Sequence, residues 1–196
     1  MWRLARAYYK LSKTATNEKE RQEFIKEGAL HAEKAVAFGP DLPVVHVWYC
    51  VLIDARSKFE GFESRIATVL KARQHLMRAV ELDPMDVTAL HMLALWCYEA
   101  SVVPWYQRKI ASAFATLPNS SYEESLELCK RAQKAYSPKC FSPNLLLMGK
   151  IYDKLGEREV AVELLKRAKN CPGHTEREQN ANIEAAVTLK NWGIKM

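Results

Sequence analysis

An all-α fold follows from three features of the sequence: its composition, the helical spacing of its small and apolar residues, and the breakers between segments. Ala and Leu together number 45 of the 196 residues, and Ala, Glu, Lys, Leu and Arg make up 92. Unbranched side chains lose little rotamer freedom in a helix, whereas β-branched ones suit a pleated sheet. Gly and Pro total 15, too few for the many turns of an all-β chain. A hydrophobic share of 48% can build a core, which excludes disorder throughout. The longest charge-free stretch, Ile110 to Tyr122, has 13 residues and contains Pro118; a spanning helix needs roughly 20 apolar residues. The opening residues do not read as a charged-then-apolar secretory leader, so a soluble protein is expected.

The helices can be placed in order from their starts and stops. Asn17 three residues before Glu20, Ser121 before Glu124 and Thr175 before Glu178 fit capping boxes, in which side chains satisfy the free amides of a first turn. Ser142-Pro143 reads as a cap followed by a proline whose missing N–H costs nothing there. Pro43 and Pro104 also read as helix starts. Gly39-Pro40, Asp83-Pro84, Pro118-Asn119, Ser137-Pro138 and Pro172-Gly173 read as stops. They predict helices over 1–12, 17–38, 43–56, 61–82, 86–101, 104–116, 121–136, 142–155, 157–170 and 175–193.

Four of these segments share one ending: GALHAEKAVAFGP (28–40), ARQHLMRAVELDP (72–84), SLELCKRAQKAYS (125–137) and AVELLKRAKNCPG (161–173). Each opens on a small residue (Gly28, Ala72, Ser125, Ala161), and an alanine follows seven residues later (Ala35, Ala79, Ala132, Ala168). Two helical turns separate the members of each pair, so both lie on one face, where small side chains admit a close neighbour. Between them on that face sit Ala32, Leu76, Cys129 and Leu165. Partner helices precede them, best defined in NLLLMGKIYDKLGEREVA (144–161), with Leu145, Met148, Gly149 and Tyr152 on one stripe. Weaker copies hold Leu4, Ala5 and Tyr8; His46, Tyr49, Cys50 and Ile53; and Leu90, Leu93, Ala94 and Cys97. This arrangement resembles the tetratricopeptide repeat (TPR), a helix–turn–helix unit of about 34 residues whose copies stack because none buries its own face.

The fold expected is therefore an all-α, TPR-like α-solenoid of antiparallel helix pairs with lengthened repeats and a C-terminal capping helix. It forms a single domain over 1–196, with units near 1–40, 41–84, 85–137 and 138–173 and the capping helix at 175–193. The recurring alanines stand 44, 53 and 36 residues apart. The first two units thus carry about ten extra residues, ATNEKERQEF and SKFEGFESRI, expected to lengthen their second helices. The third carries an inserted helix at 104–116. MWRLARAYYK begins inside a repeat's first helix, so a fragment of a longer chain is expected.

Charge and cysteine usage narrow the function less. The net charge of +6, from 29 basic and 23 acidic residues, permits attraction to an acidic partner without choosing one, and equally fits an ordinary solvated surface. The five cysteines (50, 97, 129, 140, 171) are an odd number with no C-x-x-C pair, which argues against zinc and against a disulfide framework. Cys50, Cys97 and Cys129 fall on apolar stripes as small hydrophobes. The cysteines are read as reduced and structural, in a cytosolic chain.

LALWCYEASVVPWYQRKIASAFATLPNSSYEESL (93–126), together with WRLARA (2–7) and HVWYCVL (46–52), resembles the regulator of microtubule dynamics family over nearly the whole chain. The resemblance is carried by Trp96-Cys97-Tyr98 and by Pro104-Trp105-Tyr106-Gln107-Arg108. It implies association with tubulin and microtubules, directly or through a microtubule-associated protein, and a role at spindle poles and in chromosome segregation. It implies a cytoplasmic, cytoskeletal or spindle location. For membrane-anchored relatives it implies tethering and phospholipid transfer between organelles, which here would need an anchoring segment absent from this chain.

In stacked helix pairs the first helices line a concave channel. On this chain that surface is expected to include Trp2, Arg6, Tyr9 and Lys10, then Val47, Val51 and Asp54, then His91, Leu95 and Tyr98, and finally Leu146, Lys150 and Asp153. Such a surface suits a peptide or a helix; an acyl chain with a phosphate head group held by Arg6, Lys10 and Lys150 is the alternative. Val47, Val51 and Leu95 could instead simply pack against other helices. Trp105, Tyr106, Arg108 and Lys109 form an aromatic–basic patch suited to an acidic protein or a membrane interface, though Trp105, Ile110 and Phe114 also fit a helix packed onto the array.

Catalytic signatures are missing from the sequence. The five histidines show no His-x-x-x-His spacing, and there is neither a G-x-S-x-G elbow nor a Gly-rich phosphate loop. A non-enzymatic binding module is expected, without cofactor or metal. No nucleic-acid-binding module is recognisable, so no nucleic-acid partner is expected.

Overall fold

Caps and breakers in the sequence set the helix ends, which the computed structural model describes over residues 1–104, 109, 118–137 and 139–194. The helices are α1 (Trp2–Thr14), α2 (Glu18–Phe38), α3 (Pro43–Glu60), α4 (Phe62–Leu82), α5 (Val87–Val102), α6 (Tyr122–Tyr136), α7 (Ser142–Lys154), α8 (Arg158–Asn170) and α9 (Glu176–Asn191). No strand occurs among the described residues. The helix expected at 104–116 lies outside the described residues except for Pro104 and Lys109.

The three expected caps all form, but only one is reciprocal. Asn17, Ser121 and Thr175 side chains accept the amides of Glu20, Glu124 and Glu178 at 2.9, 3.1 and 3.2 Å. At α9 the Glu178 carboxylate returns to the Thr175 amide at 2.9 Å and takes the His174 amide at 3.0 Å as well. At α2 the Glu20 carboxylate reaches one residue further, to the Thr16 amide at 2.7 Å. Ser142 is not a cap: Phe141 holds that position, and the Ser142 hydroxyl donates instead to the Glu178 carbonyl at 3.1 Å. Helix α3 runs four residues past its expected end at 56. Lys58–Asp54 (2.8 Å) and Arg56–Glu60 (3.2 Å) pairs support its last turns, and Gly61 at φ +96° stops it. The extra residues of the second repeat are therefore shared between α3 and α4. Helices α2 and α4 reach 21 residues each, against 15 for α6 and 13 for α8.

The chain forms two compact units, one over residues 1–89 and 103–118 and one over residues 90–102 and 119–196. In the first, α1 packs on α2, α2 on α3 and α3 on α4, and α1 also touches α3. Its core holds Ala5, Ile25, Ala29, Leu52, Ile53 and Leu76, each at most 3% exposed. Close approach is set by the small residues. A Cβ on Gly28 would stand 2.8 Å from Leu52 Cδ2, 3.1 Å from Tyr8 Cβ and 3.4 Å from the Ala5 carbonyl. Tyr8 lies between Phe24 and His31 of α2, with ring centroids 6.3 and 5.5 Å away. The Cys50 thiol points to the Ala72 carbonyl at 3.5 Å, the same contact one repeat later.

The second unit repeats the design with α6, α7, α8 and α9. The Ser125 hydroxyl donates to the Ala94 carbonyl of α5 at 2.7 Å. A Cβ on Gly149 would meet Leu165 at 2.9 Å and the Ala161 carbonyl at 3.4 Å. All four alanines that close the repeated segments are buried: Ala35 at 5%, and Ala79, Ala132 and Ala168 at 0%.

Two histidine sites tie the helices together. In the first unit His46 Nδ1 and His75 Nδ1 stand 2.8 Å apart, and His46 Nε2 lies 2.8 Å from the Pro40 carbonyl. The carbonyl can only accept, so His46 donates through Nε2 and receives the His75 proton at Nδ1. Burial, then His46 and Lys71, push the His75 imidazole below its ordinary range. In the second unit His91 Nδ1 lies 3.2 Å from Asn144 Oδ1, while Asn144 Nδ2 donates to the Cys129 carbonyl at 2.9 Å. That assigns His91 the Nδ1–H tautomer. Burial and then the Arg177 charge push its pKa down to about 3.

Two outcomes follow from this packing. Leucine at Ala132 or Ala168 should overpack the helix contact at a cost of about 1–3 kcal/mol, lowering the urea midpoint with an unchanged slope; an unmoved midpoint contradicts the register. His91 binds a proton more readily unfolded than folded, so its contribution is complete above about pH 6.5 and is lost as pH falls toward 3. Stability at pH 5 should drop by about 2 kcal/mol from this group alone, and H91Q should shrink the difference between pH 7 and pH 5. An unchanged pH dependence in H91Q would place the titration elsewhere.

Candidate functional site

Helix α1 has an uncompensated charge: WRLARAYYKLSKT contains Arg3, Arg6, Lys10 and Lys13 and no acidic residue. Spacings of four, three and four put Trp2, Arg6, Tyr9 and Lys13 on one face, and packing against α2 and α3 turns that face toward Trp48 of α3. The Arg6 guanidinium lies 5.8 Å from the Trp48 ring centroid. Tyr9 meets the same indole edge-on at 5.9 Å. Lys13 Nζ stands 5.5 Å from the Tyr9 ring and the Arg3 guanidinium 5.5 Å from the Trp2 ring. Trp2, Tyr9 and Trp48 are half-buried, while Arg3, Arg6, Lys10 and Lys13 are exposed.

Among the described residues, none of these four cations makes an ion pair with a carboxylate. A cation resting on an aromatic face keeps its N–H groups outward for an anion, and the ring restricts its motion. The face can therefore hold carboxylates or phosphates on a rigid aromatic floor.

Of the residues singled out from sequence, Trp2, Arg6, Tyr9 and Lys10 lie on α1, and the ring contacts there add Lys13 and Trp48. Val47 is a correction: it is 5% exposed and belongs to the core, and Trp48, one position or about 100° further round the helix, takes its place beside α1. Val51 is half-buried. Lys13 was legible, because it continues the spacing of Arg6 and Tyr9.

In the second unit the expected residues separate. His91 (2% exposed) and Leu146 (6%) lie in the core rather than on an open face, with His91 edge-on to Phe141 at 5.1 Å. Leu95 and Tyr98 are half-buried, and the Tyr98 ring lies 5.9 Å from Tyr122. Burial first, then Tyr122, Asp153, Glu184 and Glu99, raise the Tyr98 hydroxyl above its ordinary range. Lys150 is paired with Glu184 of α9. Asp153 is paired with Arg158, whose guanidinium stacks 3.2 Å from the Trp192 ring centroid. These charges are neutralised internally, unlike those of α1. Of the expected aromatic–basic patch, Trp105, Tyr106 and Arg108 lie outside the described residues, and Lys109 is exposed.

Among the described residues, no group of three or more His, Cys, Asp or Glu is placed to hold a metal ion, and no helix is long and apolar enough to cross a membrane.

A correction concerns the cysteines. Cys50, Cys97 and Cys129 are buried thiols, with burial pushing the Cys50 thiol up to about 12 and the Cys129 thiol upward as well. Cys140 and Cys171, however, form a disulfide with their Cα atoms 5.6 Å apart and their positions separated by 31 in sequence. Cys140 stands two residues before the start of α7 and Cys171 directly follows α8. The α7–α8 hairpin returns the chain to its starting height, which an odd cysteine count does not reveal.

The fold is that of a TPR protein: a thermophilic TPR protein from Thermus thermophilus superposes with a TM-score of 0.58 over 97% of this chain and 85% of its own, at 17% identity. Regulator of microtubule dynamics protein 1 of Bos taurus is 37% identical over the whole chain, and its human counterpart is 36% identical over 99% of it. The chain spans 62% of the length of each. Regulator of microtubule dynamics protein 3 of Xenopus laevis is 33% identical over 94% of this chain and 40% of its own length. The family described as regulator of microtubule dynamics protein 1-3 matches residues 1–193, and this chain belongs to that family.

Proposed function

We propose that this chain is a non-enzymatic helical-repeat binding module that associates with microtubules, directly or through a microtubule-associated protein, and takes part in regulating their dynamics and in chromosome segregation. Its four repeats act as one domain, at the cytoskeleton and spindle. Relatives matching the chain end to end are named for microtubule dynamics, and that is the origin of the assignment. The single structural observation that carries it is α1, where four exposed cations lack acidic partners among the described residues and three of them, Arg3, Arg6 and Lys13, rest on the rings of Trp2, Trp48 and Tyr9.

The surface of a tubulin polymer is acidic, and a fixed row of unpaired cations is attracted to it over a Debye length, about 30 Å at 0.01 M salt and 10 Å at 0.1 M. The same attraction has low chemical specificity and weakens with ionic strength. Trp48 and Tyr9 limit the entropy lost when Arg6 and Lys13 engage a carboxylate.

Co-sedimentation with polymerised microtubules at low and moderate salt tests direct binding: the folded chain should pellet at low salt and progressively less as salt rises. Absence from the low-salt pellet contradicts direct binding. R6E/K10E should abolish pelleting, because both side chains are exposed, while changing stability by less than about 0.5 kcal/mol. K150E, whose parent lysine is already paired with Glu184, should pellet much as the unaltered chain does. Equal loss per reversed charge in both variants would show that overall charge, and not the α1 face, governs binding.

A further inference from the structure

We infer that Cys140 and Cys171 form a thiol–disulfide exchange site, open to a small dithiol or to the dithiol of an oxidoreductase, and that their bond clamps the seat of α9. This goes beyond the microtubule reading and does not rest on it.

The clamp follows from where the two sulfurs sit. Cys140 lies just before Phe141, the cap of α7, and Cys171 caps the end of α8. The bond closes the open end of the α7–α8 hairpin, whose other end is the turn at Gly156 (φ +84°). The backbone at Cys171 is also what α9 grips. Asn182 Nδ2 donates to the Cys171 carbonyl at 2.6 Å, and two residues on, Gln179 Nε2 donates to the Gly173 carbonyl at 3.3 Å. From the Cys140 side, the Ser142 hydroxyl donates to the Glu178 carbonyl. Both sulfurs are thus anchored next to groups that hold the first two turns of α9. Further along, α9 buries Ala181, Ala185 and Leu189 and presents Glu184 to Lys150.

Selectivity comes from burial. Cys50, Cys97 and Cys129 are at most 2% exposed, and a thiol that cannot ionise does not exchange. Cys171 is 5% exposed, whereas Cys140 is half-buried. An incoming thiolate therefore attacks Cys140 Sγ. The S–S bond breaks, Cys171 leaves as a thiolate and takes a proton from solvent. The second thiol of the dithiol then attacks the mixed disulfide and releases Cys140 as a thiolate, which is protonated in turn. Two electrons and two protons pass to the protein, and the dithiol becomes a cyclic or intramolecular disulfide. Oxidised glutathione drives the reverse reaction, leaving as two molecules of reduced glutathione.

Reduction removes a 31-residue cross-link and frees the backbone held by Asn182. The start of α9 loosens, and its Glu184 is less firmly held against Lys150. The test uses the full chain equilibrated in glutathione buffers from reducing to oxidising, followed by alkylation under denaturing conditions and mass spectrometry. The expected result is five alkylated cysteines at the reducing end and three, at 50, 97 and 129, at the oxidising end. Deuterium exchange of amides in 172–182 should be at least tenfold faster in reduced protein and in C140S, with α2 unchanged, and melting should fall by roughly 5–10 °C. Failure of the pair to form in oxidising buffer overturns the exchange site. A bond that forms without slowing exchange in 172–182 overturns the clamp.

Discussion

The structure depends on the distance at which paired helices meet, and that distance is fixed by residues with little or no side chain. Gly28 is the clearest case: the side chains of Leu52 and Tyr8 and the carbonyl of Ala5 all occupy the space a Cβ would need. Three helices converge at that point. A larger residue would push α1 outward, and with it the register that brings Arg6 and Tyr9 to Trp48. The same contact recurs as Cys50 against Ala72, Ser125 against Ala94 and Gly149 against Ala161 and Leu165. In two of these a polar atom uses the short distance to hydrogen-bond to backbone on the neighbouring helix.

Close packing also decides which charges are available. Where α9 lies along α7, Lys150 finds Glu184, and where α8 begins, Arg158 finds Asp153 and Trp192. Helix α1 contains no acid and rests Arg3, Arg6 and Lys13 on its own and α3's aromatic rings instead. Surface ion pairs contribute little to stability, so the contrast matters for recognition more than for folding. A paired lysine must give up its partner to meet a new anion, and a cation lying on an indole need not.

The fold was legible in the sequence because each repeat states it several times. Small residues seven apart, three working caps and the breakers between segments point to the same helices, and consistent local signals are what specify one structure. The site was less legible. Arg6, Tyr9 and Lys10 follow from periodicity, but choosing between Val47 and Trp48 required the rotation of α3 against α1, which a single turn of helix does not encode. His91 looked available and is instead held in the core by Asn144 and Phe141, because a polar residue on an apolar stripe reads the same whether it faces a partner or a channel. The Cys140–Cys171 bond and the Lys150–Glu184 pair join residues more than 30 positions apart, and no local pattern announces either.

The convergence at Gly28 can be examined directly by nuclear Overhauser spectroscopy on the full chain. If α1, α2 and α3 meet as described, the Gly28 α-protons give strong cross-peaks to a Leu52 methyl and to the Tyr8 β-protons. Absence of both cross-peaks, in a chain whose amide spectrum is well dispersed, would contradict the packing on which the α1 face depends.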